Sequence, residues 1–251
     1  MLEIKHLSAG YEGEQTLHDI NLTMQPGEIL CIVGESGSGK SSLIRAITGY
    51  KGLQVTEGSI CFGGQELMRG KRACANGVMG REIGLIPQNP EGSFNPIRTF
   101  EKQFREMFAS HGMSMEEAQI EGAFETVGLQ DYKRILKSRP YEMSGGMNQR
   151  IAIAAAMLLS PKLLICDEAT SALDVTTAQL VMDELLQMRR DLGTGILMVT
   201  HNLGIAKHMA DRIAIMYQGE LVEIGPCQDV IDHPQHAYTK QLLESAPRMS
   251  A

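Results

Sequence analysis

Residues 34 to 42 read Gly34-Glu35-Ser36-Gly37-Ser38-Gly39-Lys40-Ser41-Ser42, which contains the pattern G-x-x-x-x-G-K-S. The apolar residues 29–33 precede this segment, and residues 42–48 continue it with a helical pattern. A buried strand, a glycine-rich loop and a helix in this order form the usual context of a phosphate-binding loop. The sequence therefore predicts an α/β fold that binds a nucleotide, rather than an ordinary Gly/Ser turn.

The residue types of this phosphate loop (residues 34–41) suit phosphate chemistry. Its glycines allow backbone N–H groups to converge on phosphate oxygens, and the helix that begins near Gly39 adds the positive end of its dipole. Lys40 is expected to reach the β- and γ-phosphates, and the Ser41 hydroxyl to ligate Mg²⁺. We expect the residues from Gly34 to Ser42 to form the nucleotide-binding segment.

Polar groups follow three apolar segments that are typical of buried strands. The segments are residues 29–33, 163–166 and 196–200, and they lead into Gly34, Asp167 and His201 respectively. Continuous apolar strands separated by helices predict a parallel sheet covered on both faces, in which ligands bind beyond the carboxyl ends of the strands. We therefore expect the loop, the acidic residues and the histidine to share one edge of the sheet.

The side chains at these strand ends suit the transfer of a phosphoryl group to water. Asp167 is expected to bind Mg²⁺, although an acidic turn after a strand is the alternative, and Glu168 to polarise a water molecule at the γ-phosphate. His201 could contact the same phosphate, but an isolated histidine is more often structural. Gln88 is held in irregular backbone by flanking prolines and can offer its amide oxygen to the metal or the water.

The N-terminal third of the chain predicts strands around this centre. Residues 1–30 indicate short strands, with Tyr11 in a glycine-flanked loop where its ring could stack on a purine. Residues 63–80 are rich in Gly, Lys and Arg, and they indicate a mobile excursion between strands over residues 58–62 and 81–86.

Helical periodicity dominates the sequence after residue 90. Between residues 91 and 141 no strand-like run occurs, and Phe100, Phe104 and Phe108 recur at helical spacing, which favours packing over a cofactor site. Further helices are predicted over residues 115–127, 147–159, 176–191 and 237–245, with Leu180, Val181, Leu185, Met188 and Leu192 on one side of the third. Gln218-Gly219 predicts the turn of a β-hairpin.

The composition limits the environment and the partners. The chain has 23 basic and 30 acidic residues, and the formal net charge of −7 disfavours a broad nucleic-acid surface. Its five cysteines form no C-x-x-C pair, which indicates a reducing cytoplasm and neither disulfides nor a zinc site. The longest apolar stretch, residues 151–159, is too short to span a bilayer, and charged residues near Met1 indicate no secretory signal.

These residues together resemble the nucleotide-binding subunits of ATP-binding-cassette (ABC) transporters over nearly the whole chain. Gly34 to Ser41 is similar to the Walker A motif, and residues 163–168 to Walker B. Met143-Ser144-Gly145-Gly146-Met147 resembles the family signature, commonly L-S-G-G-Q, with methionine in place of its leucine and its glutamine. Residues 171–174 resemble the loop that follows Walker B.

Other segments are similar to a subfamily of this family. Gln88 and His201 match the Q-loop and H-loop positions, and Tyr11 the adenine-stacking aromatic. The segments that resemble oligopeptide, dipeptide and nickel importers are residues 87–90, 93–96, 143–150 and 236–243. Many members continue into a cysteine-bearing tail, and because the chain ends at Ala251 we expect no iron–sulfur site.

The resemblance implies a phosphate-loop NTPase core with a mainly parallel sheet, an N-terminal antiparallel β subdomain and an inserted α-helical subdomain. Residues 1–251 would form a single ABC ATPase domain, with residues 1–90 and 147–251 as the core and residues 91–146 as the helical part that ends in the signature. The implied reaction is ATP hydrolysis with Mg²⁺. The implied metal ligands are Ser41, Gln88 and Asp167, and the implied catalytic residues are Glu168, His201 and Gln88.

The resemblance also implies partners. A second ABC ATPase, identical or paralogous, would form a head-to-tail dimer in which Ser144, Gly145 and Gly146 close on the partner's nucleotide, and Asp174 is expected among the nucleotide-binding residues. Two membrane permeases would contact the helical insertion and the Gln88 loop, and an extracellular solute-binding protein would deliver a peptide or a nickel or other metal complex. The chain would lie peripherally on the cytoplasmic face of the membrane.

Two other classes of ABC ATPase remain as alternatives. An exporter cassette would use the same motifs, since some exporter cassettes are separate from their membrane domains. A cassette of DNA repair or translation is less favoured, because no coiled-coil heptads precede the signature, only one cassette is present and the net charge is negative.

Overall fold

The computed structural model describes residues 1–70, 72–73, 77–170 and 173–245, and the chain divides into two compact units. The first unit contains Met1–Met79 and Gly195–Ala251, and the second contains Gly80–Thr194. The boundaries predicted from the sequence, which separate residues 91–146 from the rest, stay a prediction.

An antiparallel sheet forms the N-terminal part of the first unit. Its strands are β1 (Leu2–Tyr11), β2 (Glu14–Met24), β4 (Gln54–Phe62), β5 (Gln65–Arg69) and β6 (Arg72–Ala73), in the order β2-β1-β4-β5-β6. Every neighbouring pair is antiparallel, which confirms the predicted antiparallel β subdomain. Tyr11 is the last residue of β1, so its placement in a loop was wrong.

The predicted excursion over residues 63–80 is also corrected. Gly63 and Gly64 have φ angles of 59° and 83°, which form the tight turn of a hairpin, and β5 then pairs with β4. The polar composition of this strand concealed it, because little of its surface is buried. Lys71 and residues 74–76 lie outside the described residues.

A second group of strands in the first unit carries the phosphate loop. It comprises β3 (Ile29–Val33), β9 (Gly195–Thr200), β10 (Arg212–Tyr217) and β11 (Glu220–Pro226), with β3 parallel to both β9 and β10, and β11 antiparallel to β10. All five residues of β3 are buried, as expected for a continuous apolar strand in a covered parallel sheet. The hairpin predicted at Gln218-Gly219 is confirmed.

The helices of the first unit are α1 (Lys40–Ile47), α7 (Leu203–Met209), α8 (Cys227–Asp232) and α9 (Ala237–Ser245). The last of these has the predicted bounds. Sequence periodicity missed α7 and α8, because six or seven residues are too few to establish a helical pattern.

The second unit contains β7 (Ile83–Ile86), parallel to β8 (Leu163–Asp167), and five α-helices among its described residues. The helices are α2 (Phe100–Ser110), α3 (Glu117–Thr126), α4 (Tyr132–Lys137), α5 (Gly145–Leu158) and α6 (Val175–Leu192), with short 3-10 turns at Pro90–Ser93 and Pro140–Glu142. Phe100, Phe104 and Phe108 are buried, and the Phe104 ring meets the edge of Phe124 at 5.7 Å, which confirms that the aromatic residues pack the core.

The apolar face predicted for α6 is narrower than expected. Val181, Leu185 and Met188 are buried, whereas Leu180 and Leu192 are exposed. The buried three lie at i, i+4 and i+7 and share one stripe of the helix. Leu180 falls beside that stripe, whereas Leu192 lies on it but is the last residue of the helix. Within the described ranges, no helix has both the length and the apolar character needed to cross a bilayer.

Candidate nucleotide site

The phosphate loop connects β3 to α1 and depends on glycine at particular positions. Gly39 has φ of 108°, in the left-handed region, and precedes the first residue of α1. A Cβ at Gly39 would lie 2.9 Å from Met216 Cε and 3.1 Å from the Thr16 carbonyl oxygen. A Cβ at Gly34 would lie only 2.2 Å from the Met216 carbonyl oxygen. The loop therefore packs closely against β10 and β2 only because these two positions lack a side chain.

Lys40 places a positive charge inside the loop. The side chain is buried, and its Nζ donates to the carbonyl oxygens of Gly34 at 2.8 Å and Glu35 at 2.6 Å, and to Ser38 Oγ at 3.3 Å. A buried ammonium beside the positive end of an α-helix is the donor arrangement that a polyphosphate requires. The residues of the loop thus fit the triphosphate of a nucleotide.

Tyr11 lies beside the start of α1. Arg45 Nη1 donates to the tyrosine hydroxyl at 2.8 Å, and that hydroxyl is 3.4 Å from Ser42 Oγ. The Arg45 guanidinium also lies 5.8 Å from the centre of the tyrosine ring. These contacts hold the predicted adenine-stacking ring next to the phosphate loop, and its stacking role stays a prediction.

His201 lies at the same strand edge as the phosphate loop. In the parallel register, Val33 of β3 is paired with Thr200 of β9, so Gly34 and His201 are the next residues on adjacent strands. The side chain is exposed. Asn202 then caps α7, because its Oδ1 accepts from the backbone of Gly204 at 2.8 Å. The structure therefore brings this predicted pair together within the first unit.

In the second unit the structure brings together Gln88 and Glu168. Strand β7 ends at Ile86, before the prolines that flank Gln88, and β8 ends at Asp167. Gln88 Nε2 donates to Glu168 Oε2 at 2.9 Å. Glu168 itself has φ of 48°, a left-handed conformation that costs about 1–3 kcal/mol in a residue other than glycine. The Gln88 amide thus contacts a carboxylate that is carried on a strained backbone.

Gln149 is a candidate functional residue that the sequence reasoning did not single out. Its side chain is 1% exposed, and Nε2 donates to the carbonyl oxygen of Ala169 at 2.8 Å and lies 3.5 Å from that of Pro87. It therefore links α5 to the residues that follow Glu168 and precede Gln88. An amide among the apolar residues of a buried helix was the available signal, because buried polar groups need partners.

The signature residues begin α5. Ser144 caps this helix, since its Oγ accepts from the Met147 backbone N–H at 3.3 Å, and both Ser144 and Gly145 are exposed. A 14-residue helix thus presents its N-terminus at the surface, which suits binding of an anion. Ser171 and Ala172, from the loop after Walker B, lie outside the described residues.

Asp174 caps α6 in the structure. Its carboxylate accepts from the Thr177 backbone N–H at 3.0 Å and from the Thr177 hydroxyl at 2.7 Å. These hydrogen bonds lower the pKa of Asp174 below its ordinary value of 3.8. Its predicted contact with a nucleotide stays a prediction.

The predicted metal ligands fit Mg²⁺ that arrives with a nucleotide. The described part of the chain contains no group of three or more His, Cys, Asp or Glu side chains able to hold a metal by themselves. Mg²⁺ in phosphate-transfer sites is commonly bound by one or two carboxylates together with the substrate phosphates. The hydroxyl of Ser41, the carboxylate of Asp167 and the amide oxygen of Gln88 are hard oxygen donors of the required kind.

Comparisons with known proteins agree with these features. A family model described as "ABC transporter" matches residues 17–171, and a second, described as "Oligopeptide/dipeptide transporter, C-terminal region", matches residues 222–251. The Oligopeptide transport ATP-binding protein OppD of Lactococcus lactis subsp. cremoris (strain SK11) is 37% identical, covering 98% of this chain and 76% of that protein. The protein of the same name from Salmonella typhimurium (strain LT2) is 38% identical, covering 100% of this chain and 77% of that protein.

A solved structure shows the same fold. It is described as "Structure of ATP binding subunit of ABC transporter", and it superposes with a TM-score of 0.78 at 28% sequence identity, covering 98% of this chain and 95% of that chain. The first family match includes both the phosphate loop and Glu168. Since that match spans more than half of the residues, the chain belongs to the ABC transporter family and carries the ATPase domain of that family.

Proposed function

We propose that this chain is the ATP-hydrolysing subunit of a transporter that imports peptides across a membrane. The observation that carries the proposal is the pair of family matches, because the ABC transporter match is followed by one specific to oligopeptide and dipeptide transporters at residues 222–251. The relatives compared are named for oligopeptide transport. A nickel or other metal complex as the solute stays a prediction of the sequence alone.

The proposed chemistry assigns separate tasks to the predicted residues. Residues 34–42 bind the triphosphate through backbone N–H groups and Lys40. Ser41, Asp167 and Gln88 would hold Mg²⁺, which would supply positive charge to the phosphates. Glu168 accepts a proton from the attacking water, and His201 contacts the γ-phosphate.

The exposed signature supports a partner ATPase. Ser144 and Gly145 present backbone N–H groups and a hydroxyl at an exposed helix N-terminus. We infer that they close on the γ-phosphate bound by a second ABC ATPase in a head-to-tail dimer. Asp174, the last residue of the loop after Walker B, would face the same partner. Each nucleotide in such a dimer is bound by residues of both chains.

An exposed patch in the second unit suits a membrane subunit. Ile97 and Tyr141 are 76% and 65% exposed, and Arg139 joins them by donating from Nε to the Ile97 carbonyl oxygen at 3.3 Å and from Nη1 to the Tyr141 hydroxyl at 3.4 Å. Large exposed side chains on two residues that contact the same arginine favour an interaction surface. We propose that two permeases dock here and at the Gln88 loop, on the cytoplasmic face of the membrane, and that a solute-binding protein completes the importer.

Replacing the loop lysine tests the nucleotide site. Lys40→Ala should weaken ATP binding about 10- to 100-fold, because hydrogen bonds from a charged donor to the phosphates are lost. Equilibrium titration with a fluorescent ATP analogue measures the loss. Lys51→Ala, a change of an exposed lysine in the same unit, is the matched control and should leave the affinity unchanged. Equal affinities in the Lys40→Ala and unaltered proteins would contradict the assignment of the loop.

Transport itself is tested in vesicles. The chain is reconstituted with the permeases and the ATPase encoded beside it, and uptake of labelled oligopeptides is followed with and without ATP. ATP-dependent accumulation on the side of the cassette supports import. Movement of peptide in the opposite direction would favour an exporter, and ATP turnover without any peptide movement would contradict the proposed solute class.

A further inference from the structure

Residues from the C-terminal part of the first unit hold the phosphate loop in two places. The hydroxyl of Tyr238, in α9, accepts a hydrogen bond from the Glu35 backbone N–H at 3.1 Å. The backbone N–H of Gly219, in the hairpin turn, donates to the Ser38 carbonyl oxygen at 2.9 Å. Both bonds join residues about 180–200 positions apart in the chain. We call these two contacts, with the ring of Tyr217, the loop brace.

The parts of the brace are closely packed. The rings of Tyr217 and Tyr238 stack with their centres 4.1 Å apart and an angle of 29° between their planes. Tyr238 is only 6% exposed, and burial raises the pKa of its hydroxyl above the ordinary value, so the group stays neutral. Gly219 has φ of 82°, and a Cβ there would lie 2.5 Å from the Thr16 carbonyl oxygen. The hairpin turn can therefore reach the loop only with glycine at this position.

The start of α9 is fixed from strand β11. Glu223 accepts from the backbone N–H groups of Gln235 at 2.8 Å and His236 at 3.0 Å. Burial alone would raise the pKa of Glu223, but the pKa lies below its ordinary value of 4.5, and hydrogen bonds from the Gln235 and His236 backbones contribute to lowering it. The carboxylate is therefore charged at neutral pH and anchors the segment that carries Tyr238.

Glu35 connects the brace to the lysine of the site. The N–H of Glu35 donates to Tyr238, and its carbonyl oxygen accepts from Lys40 Nζ at 2.6 Å. A movement of α9 would therefore move the residue that helps to place the Lys40 ammonium. A preorganised loop binds its ligand more tightly than one that must be ordered on binding.

We propose that Tyr238 is a positioning residue that sets the affinity of the phosphate loop for ATP by fixing Glu35. The inference rests on the proposed ATP site. It gives a role in ATP binding to residues 222–251, the segment that matches the oligopeptide and dipeptide transporter family. A partner protein that displaced α9 would therefore lower the affinity of the loop for ATP. This positioning role does not require Tyr238 to contact the nucleotide.

The test removes one hydroxyl. Tyr238→Phe keeps the ring that stacks on Tyr217 and deletes the acceptor for Glu35. The Kd for ATP should rise about three- to tenfold, the effect of one neutral hydrogen bond, while kcat at saturating ATP changes less than about twofold. Tyr132→Phe is the matched control, because Tyr132 is also buried, at 8% exposure, and its hydroxyl contacts Glu117 in the second unit. It should leave the Kd for ATP unchanged.

A second variant tests the anchor. Glu223→Gln weakens the hold on Gln235 and His236 and should raise the Kd for ATP by itself, but add little in a protein that already carries Tyr238→Phe. Additive effects of the two changes would show that they act separately. They would overturn the proposed link from Glu223 through Tyr238 to Glu35.

The outcomes separate this inference from the proposed function. An unchanged Kd in Tyr238→Phe, together with loss of ATP binding in Lys40→Ala, overturns the role of Tyr238 and leaves the ATP site intact. A lower melting temperature with an unchanged Kd shows a structural role only and also overturns it. Unchanged affinity in both variants contradicts the proposed ATP site itself.

Discussion

The phosphate loop and the segment around Glu168 (residues 167–170) are held by different kinds of contact. Backbone hydrogen bonds hold the loop, through parallel strands on both sides of β3 and through Gly219, and the Tyr238 hydroxyl adds one side-chain contact. Two glutamine amides, from Gln88 and Gln149, reach the segment around Glu168, where the backbone of Glu168 is strained. We therefore expect the loop to keep one shape and the segment around Glu168 to exchange contacts during turnover.

This difference separates binding from turnover. A preorganised loop favours tight binding of phosphates, because little freedom is lost when the ligand arrives. Side-chain hydrogen bonds have a net contribution of about 0.5–1.5 kcal/mol each, which is small enough to be exchanged during a catalytic cycle. We therefore expect substitutions near Glu168 to change the rate of hydrolysis and substitutions near the loop to change affinity.

The largest expected effect tests the first half of this contrast. Glu168→Gln should lower kcat for ATP hydrolysis about 10²- to 10⁴-fold, because a general base is lost. The Kd for ATP should change less than about twofold, since the new amide keeps the size of the side chain and can still accept from Gln88. Steady-state phosphate release and ATP titration measure the two quantities.

Glu125→Gln, at an exposed position of the second unit, is the control for Glu168→Gln and should retain full turnover. Normal turnover in Glu168→Gln would exclude this residue as the base. A large loss of ATP affinity in that variant would break the contrast between binding and turnover.

A smaller effect is expected at Gln149. Gln149→Met keeps the volume but removes the donor to the Ala169 carbonyl oxygen, and kcat should fall about tenfold because Glu168 is less well placed. The Kd for ATP should be unchanged. The measurement is kcat against Kd for ATP, normalised to the folded fraction from circular dichroism.

Asn148→Leu provides the matched comparison for Gln149→Met. Both side chains are 1% exposed and lie on α5, but Asn148 Nδ2 donates to the Pro140 carbonyl oxygen at 3.0 Å, away from Glu168 and Gln88. The two variants should lose similar stability, and only Gln149→Met should lose turnover. Equal losses of kcat would reduce the role of Gln149 to packing.

The smallest effect is expected at the cap of α6. The pKa of Asp174 is lowered in the folded state by hydrogen bonds from Thr177, so its stabilising contribution is complete above the ordinary value of 3.8 and declines as the pH falls below it. Asp174→Asn should lower the melting temperature slightly at pH 7, and the difference should shrink below pH 3.8. Thermal melts across this range measure it. If Asp174→Asn instead lowered ATPase activity strongly at full stability, a role at the nucleotide would outweigh the helix cap.

The local features of the fold could be predicted from the sequence for a physical reason. A glycine-rich loop between an apolar strand and a helix, and a Gln-Gly turn between two apolar strands, are specified by residues close together in the chain. The pairing of Gly34 with His201 followed from the rule that ligands bind at the carboxyl ends of parallel strands.

The long-range contacts to the phosphate loop and to the segment around Glu168 could not be predicted in this way. Glu35 and Tyr238 are separated by 203 positions, and their bond depends on how the hairpin and α9 return to the loop. Gln149 and Ala169 are 20 residues apart on different elements. Strand β5 was missed because its polar residues resemble a loop, and Leu180 was misplaced because a helical pattern does not define the width of the buried stripe.

The left-handed backbone of Glu168 places the stability of the fold in conflict with the carboxylate at this position. A residue such as glycine would relax that conformation, so a drift towards a more stable protein would favour loss of the carboxylate at this position. With Glu168 as the proposed base, the demand for turnover opposes that loss. In laboratory evolution under heat alone, we therefore expect glycine to be enriched at position 168.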